Sequence, residues 1–160
     1  EIDILNSDDF GSLWTKLSGM SASFTKKTID LISSNKKELI DKKISESYAP
    51  KISKERLRVN WEEDAIKIHN QVRAFSPYPC MFSLLNKKRI KIFKTKPLKI
   101  SPEKQFESGQ FFIDNNQIVV KCGEGFLEIL ELQPESKKRL SASEFLNGHL
   151  SSIEKYKFEN

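Results

Sequence analysis

Apolar residues recur at helical spacing in two stretches of this chain and alternate with polar ones in a third. Over residues 8–33, Phe10, Leu13, Trp14, Leu17, Met20, Phe24, Thr28, Leu31 and Ile32 trace the stripe of one long amphipathic helix. Asp8 or Asp9 can cap it by accepting from the free backbone N–H groups of its first turn. Gly11 and Gly19 weaken it, and Gly19 suits close packing against a neighbour. Water does not satisfy so wide a stripe, so it packs either on the C-terminal part or on a domain upstream of Glu1; the second fits better. In a second stretch Trp61, Ala65, Ile68, Val72 and Phe75 mark one helical face, with Glu62, Glu63 and Asp64 in the first turn, where the helix dipole favours carboxylates. Pro77 and Pro79 stop this helix, because neither ring nitrogen donates a hydrogen bond and each disfavours helical geometry in the residue before it.

Beyond Pro79 the period falls from 3.6 to two. The pattern predicts strands at Met81–Leu85 and Arg89–Lys94 around a tight turn at Asn86-Lys87-Lys88, then a loop over Thr95–Ser108 with Pro97 and Pro102. Further strands are predicted at Gly109–Ile113, Gln117–Cys122 and Phe126–Leu132, separated by Asp114-Asn115-Asn116 and Gly123-Glu124-Gly125. Pro134 ends the last strand, and Ser141 or Ser143 opens a short helix with Gly148 near its end. Short strands at close spacing with Gly and Asn turns indicate a small antiparallel barrel or sandwich. The stretch 36–58 is a mixed-charge linker with little core-forming content, ordered only by docking; Ser53 with Arg56 makes no capping box there.

Composition narrows the class. With 160 residues, 38% apolar and 31% charged, the chain is globular in character. No apolar run approaches the roughly 20 residues of a membrane span, and the start, EIDILNSDDF, has no secretory signal pattern and no initiating Met, as in a piece of a longer chain. The net charge of +5 is unevenly spread: residues 87–104 hold eight Lys or Arg against the single acid Glu103. Such a block suits a polyanionic partner, or forms a solvated lysine-rich face. Cys80 and Cys122 lack disulfide-scaffold or metal-ligand spacing and read as small buried hydrophobes, in keeping with a reducing, cytoplasmic compartment.

Candidate chemistry is sparse. The sequence holds no Gly-rich phosphate loop, no metal-ligand motif and no nucleophile elbow. His69, beside Ile68 and three residues from Val72, reads as a hydrogen-bonded packing histidine, and His149 as a residue near a helix C-terminus. The basic surface with aromatics remains: Lys87, Lys88, Arg89, Lys91 and Lys94 with Phe93, and Lys137, Lys138 and Arg139 after the last strand. Cations of this kind follow phosphates on small antiparallel barrels. Phe93 breaks the Ile90/Ile92 alternation and is expected to pack rather than stack on a base.

Two blocks carry a resemblance. Tyr48-Ala49-Pro50-Lys51-Ile52-Ser53-Lys54-Glu55, then Trp61, Ile68-His69-Asn70 and Val72-Arg73-Ala74-Phe75 with Pro77 and Pro79, resemble the start of the C-terminal domain of folate-dependent formyltransferases. Gly123-Glu124-Gly125, Leu130-Glu131-Leu132-Gln133-Pro134, Lys137-Lys138-Arg139-Leu140-Ser141-Ala142 and Phe145-Leu146-Asn147-Gly148 are similar to the C-terminal signature of the methionyl-tRNA formyltransferase family. Together they cover most of residues 48–150, in order and spacing. Tyr78, Cys80 and Met81 depart from the family pattern around the second proline, and the lysine density of 87–104 is high for it.

The resemblance implies a mixed α/β arrangement: residues 1–35 as the end of a Rossmann-like catalytic domain, 36–58 as a basic linker, and 59–160 as an OB-like C-terminal barrel with one packed helix and a short C-terminal helix. It implies an enzyme that formylates the methionine amine of initiator Met-tRNA, with 10-formyltetrahydrofolate as donor to the full-length protein. This chain would bind no cofactor and would hold none of the family's catalytic residues; His69 belongs to the helix motif. The expected partners are initiator Met-tRNA and the missing catalytic domain, with no membrane, and the chain is expected to be a cytoplasmic monomer. The tRNA contacts expected are Lys51, Lys54, Arg56, Lys87, Lys88, Arg89, Lys91, Lys94, Lys137, Lys138 and Arg139. Trp61, His69, Asn70, Arg73, Phe75, Pro77 and Pro79 would form a structural helix-bend motif, in which Arg73 suits an anchor for the bend or an RNA contact. The alternative is a docking module of a related sugar or tetrahydrofolate formyltransferase that binds no RNA, exposing Phe10, Trp14 and Leu17. Lys137-Lys138-Arg139 argues against it.

Overall fold

The computed structural model describes residues 2–34, 48–153 and 157–159. Lys36, Lys37, Lys42 and Lys43, in the predicted linker, lie outside the described residues. The elements are α1 (Phe10–Ser33), a 3-10 turn (Glu55–Leu57), α2 (Ala65–Phe75), β1 (Met81–Leu85), β2 (Lys88–Leu98), β3 (Phe111–Asp114), β4 (Gln117–Lys121), β5 (Phe126–Pro134), β6 (Leu140–Ser141), α3 (Ala142–Ile153) and β7 (Phe158–Glu159). The strands form one curled antiparallel sheet in the order β3-β4-β5-β2-β1-β7, with β6 also on β5. The outermost strands are drawn toward each other, since the Phe158 N–H donates to the Gly109 carbonyl just before β3 at 2.9 Å. The result is a half-barrel compatible with an OB-like fold, with α2 packed on β2 and α3 on β5 and β6.

Local chemistry sets these boundaries. Asp9 caps α1 in a reciprocal box with Ser12. Asp64 caps α2, accepting from the Ile66 and Lys67 N–H groups. The predicted start at Trp61 is therefore corrected: Trp61 and Glu62 precede the helix, Asp64 is its cap, and Glu63 reaches forward to Lys67 at 2.8 Å and Gln71 at 2.9 Å. Ala65, Ile68 and Val72 are the buried face of α2. The Ser76–Pro77 and Tyr78–Pro79 peptide bonds after it are both cis.

The structure departs from the predicted pattern in β2 and in α3, and it keeps the expected break in alternation at Phe93. β2 runs on through Thr95, Lys96, Pro97 and Leu98, assigned above to a loop, because these residues pair with β5 from Ile129 back to Phe126. Pro97 is tolerated since β1 ends opposite Ile92, leaving β2 a single strand neighbour there. The register shifts between Ile92 and Lys94, so Phe93 is an extra residue that turns away from the core holding Ile90 and Ile92. At the other end, α3 continues through Gly148 to Ile153, so His149 lies within the helix and not at its end. Ser141 caps α3 through the Glu144 N–H, and Glu144 answers by accepting from the Ser141 N–H.

One knot joins the helical entry to the sheet. The Gly123 N–H donates to the Trp61 carbonyl at 2.8 Å and the Glu63 carbonyl at 3.0 Å, and the Ala65 N–H donates to Glu124. A Cβ on Gly123 would collide with the Glu62 backbone carbonyl. Trp61, fully buried, donates its indole N–H to Ser83 at 3.0 Å, and Ser83 donates to the Glu159 carbonyl at 2.7 Å. Its ring lies 5.4 Å from that of Phe158.

The helix α1 is attached by its first turn only. The Gly11 N–H donates to the Ser76 carbonyl at 3.0 Å, and a Cβ on Gly11 would lie 2.6 Å from Pro77 Cδ. Arg73 donates through Nη1 to the Leu5 carbonyl at 3.0 Å and the Asp8 carbonyl at 3.3 Å, so its guanidinium anchors the N-terminal segment. Past that turn the predicted stripe is open: α1 has no buried residue, and Trp14 is 64% exposed.

Two predictions follow from these contacts. Gly123→Ala is expected to destabilise the chain by more than about 3 kcal/mol, read by chemical denaturation, because the obstructing atom is backbone. The second concerns Asp8, whose carboxyl the Lys16 ammonium, the Leu5 N–H and the Ser12 hydroxyl pull down from 3.8 to about 2. A carboxyl lowered by folding contributes stability above its unfolded value and loses it as pH falls toward the folded one. Stability of the native chain should thus decline more steeply than that of Asp8→Asn between about pH 4 and pH 2, and parallel curves would place the ion pair outside the folding equilibrium.

Candidate nucleic-acid interface

The outward face of the β1-β2-β5 sheet is built by strand alternation. Ile90 and Ile92 point into the core, which turns Arg89 and Lys91 outward, and the bulge at Phe93 restores an outward direction for Lys94. Register then aligns residues across strands. Arg58, in the segment beside β1, bridges to Phe82; Phe82 pairs with Lys91; Lys91 pairs with Gln133. The Arg89 guanidinium sits 3.8 Å from the centre of the Phe82 ring, and that of Arg139 sits 4.2 Å from the centre of the Phe93 ring.

Two turns bring further lysines to one end of this face. Asn86 and Lys87 form the β1–β2 turn with φ of 51° and 60°. The β5–β6 turn carries Lys137 and Lys138 and is fastened beside it, the Glu135 N–H donating to the Arg89 carbonyl at 3.0 Å. Lys87, Lys88 and Arg89 therefore meet Lys137, Lys138 and Arg139, although about fifty residues of sequence separate the two groups. All six are exposed.

Three of the predicted contacts fall elsewhere. Lys51, Lys54 and Arg56 are exposed on the segment leading to α2. Arg56 lines an open groove of about 550 Å³ on the outer side of α2, with Lys67, Asn70 and Phe75. Lys94 and Arg139 are not free cations, because both pair with Glu131. Arg58 and Phe82 belong to the face but were missed; the signal available was Arg58 between the buried Leu57 and Val59.

The other titratable groups are placed for packing. His69 Nδ1 lies 3.0 Å from the Thr95 hydroxyl, and burial together with the Arg73 charge lowers its pKa, which favours the neutral ring. Asn70 accepts from Arg73 Nε at 2.9 Å. Burial pushes the Cys80 thiol up to about 11 and that of Cys122 to about 12, so neither is a thiolate nucleophile at neutral pH. Lys91, Arg139 and Arg89 all pull the Cys80 value the other way, consistent with three cations over one part of the sheet. Among the described residues no group of three His, Cys, Asp or Glu is placed to hold a metal, and no helix is long and apolar enough to cross a membrane. The face offers positive charge and ring planes, which suit a polyanion.

Comparison with known proteins agrees with this architecture. The chain is 37% identical over 151 residues to methionyl-tRNA formyltransferase of Thermodesulfovibrio yellowstonii, covering 92% of this chain and 47% of that protein. It is 35% identical to the methionyl-tRNA formyltransferase of Mycoplasma capricolum, covering 95% and 49%. The chain thus spans about half the length of the curated relatives it matches. Among solved structures, a variant of HypX from Aquifex aeolicus shares the fold with a TM-score of 0.65 at 16% identity, over 94% of this chain and 28% of that one. HypX in complex with tetrahydrofolic acid gives 0.55 at 20% identity, over 77% and 22%. The formyl transferase C-terminal domain matches residues 51–150, from the basic segment before α2 into α3, and this chain belongs to that family.

Proposed function

We propose that this chain is the tRNA-binding C-terminal region of a methionyl-tRNA formyltransferase. The whole enzyme would transfer a formyl group from 10-formyltetrahydrofolate to the methionine amine of initiator Met-tRNA. The observation that carries this reading is the meeting of Lys87, Lys88 and Arg89 with Lys137, Lys138 and Arg139 at one end of an aromatic-bearing sheet face. In this reading the formyl-transfer residues belong to a preceding domain, so the chain alone binds RNA, holds no folate and is inactive. The open stripe of α1, with Phe10, Trp14 and Leu17 each more than 40% exposed, is the surface that domain would cover. A monomer acting in the cytoplasm accords with such a substrate.

Binding of this kind rests on phosphate contacts and weakens steeply with salt. Titration of the chain with initiator and elongator tRNA should give affinities that fall together as salt rises, placing discrimination in the preceding domain. Replacing Lys87, Lys88, Lys137 and Lys138 by Ala should flatten the salt dependence by roughly one unit of log–log slope for each lysine that meets a phosphate. An unchanged affinity in that variant would reduce the cluster to a solvated surface.

Lys87→Gly is a sharper probe. Its φ of 60° strains a side-chain-bearing residue, so glycine there should leave the unfolding midpoint unchanged or slightly raised while lowering tRNA affinity. A fall in both would mean that the lysine stabilises the turn instead.

A further inference from the structure

Glu131 is an acid placed inside the cationic face. On β5 it stands opposite Lys94 of β2 and opposite Ser141 of β6. One carboxylate oxygen accepts from Lys94 Nζ at 3.0 Å, and the other pairs with the Arg139 guanidinium. The Arg139 guanidinium in turn sits over the Phe93 ring, 4.2 Å from its centre. Burial alone would raise the carboxyl of Glu131, yet hydrogen bonds from Lys94 and Arg139 hold it below its ordinary value, so it is an anion at neutral pH.

The exposures make this pair of bonds exchangeable. The Glu131 side chain is 28% exposed, while those of Lys94 and Arg139 are 54% and 39% exposed. Both cations therefore face solvent while sharing one carboxylate. The two oxygens of that carboxylate occupy the positions that two non-bridging oxygens of a phosphodiester would take between an ammonium and a guanidinium. Arg89 and Lys91 lie on the same face, so a nucleic-acid strand engaged with them would pass close to this pair.

We propose that Lys94 and Arg139 form a phosphodiester site for RNA, and that Glu131 occupies it in the free chain as an internal competitor. RNA binding displaces the carboxylate; a polyanion making few other contacts fails to do so. The residue thereby raises the number of simultaneous phosphate contacts a partner must make. This rests on the tRNA-binding reading above.

The test is a tRNA titration of the native chain, Glu131→Gln, Lys94→Ala/Arg139→Ala, and all three changes together, with Asp114→Asn as a control. Asp114 is an exposed acid at the end of β3, at the far edge of the sheet. Glu131→Gln is expected to tighten binding about threefold to tenfold and to steepen the log–log salt slope by about one. That gain should vanish when Lys94 and Arg139 are already Ala, and Asp114→Asn should give little of it. If Asp114→Asn matches the gain, or the gain persists without the two cations, only net charge is at work and the proposal fails. Unchanged or weaker binding in Glu131→Gln, with salt-sensitive binding intact in the native chain, overturns the competitor role and leaves the tRNA-binding reading standing. No binding by the native chain removes both. Unfolding midpoints of every variant accompany the titrations, and Glu131→Met, neutral and of similar length, replaces Gln should that variant lose its fold.

Discussion

The backbone contact between Gly123 and residues 61–63 is the constraint on which the rest of the domain depends. Two carbonyls converge on one N–H, at a separation that leaves no room for a Cβ. Because Trp61 is fixed there, its indole N–H reaches Ser83 on β1, and Ser83 reaches Glu159 on β7. Helix entry, first strand, β4–β5 turn and last strand are thus tied together through one buried tryptophan. Truncating a buried Trp typically costs about 3–5 kcal/mol; here the polar relay behind it would be lost as well.

The surface face is a by-product of that architecture. Once β2 lies in the centre of the sheet with Ile90 and Ile92 inside, Arg89 and Lys91 have no choice but to face out, and the bulge at Phe93 turns Lys94 out as well. Fastening Glu135 to Arg89 then sets the second basic turn beside the first. Electrostatic attraction did not assemble the cluster, since like charges repel; hydrogen-bonded backbone and apolar packing hold it in place. Glu131 offsets part of the repulsion through Lys94 and Arg139. A cationic surface so maintained is ready for a polyanion without rearrangement of the fold.

The attachment of α1 is of a different kind. A capped first turn, one backbone bond from Gly11 and the Arg73 fork hold its start, while beyond that turn its apolar stripe has no buried residue. The stripe signals a helix faithfully and says nothing of where its partner surface lies. The same spacing rule gave α2 its true buried face, because there the partner is β2 of this chain.

Much of the fold was legible in local sequence. Helical spacing and two prolines located α2, alternation located β1, and Asn-rich and Gly-rich turns located the hairpins, because each rests on interactions between near neighbours. The start of α2 was misplaced since Trp61 fits the helical period but is drawn into the sheet by Ser83 and Gly123, which no local rule anticipates. The second half of β2 was hidden by Pro97, whose tolerance depends on β1 ending early. The two-residue β7 carries no pattern of its own and exists through distant partners, pairing with Leu84 and Leu85 and bonding to Gly109 and Ser83. For the surface, the sequence by itself determined that lysines and arginines would be dense in two places. Only the tertiary structure decided that these become one patch, that Arg58 and Phe82 join it, and that Glu131 stands among them. Charge is a property of a residue, but a binding face is a property of distances, and those are fixed by strand register.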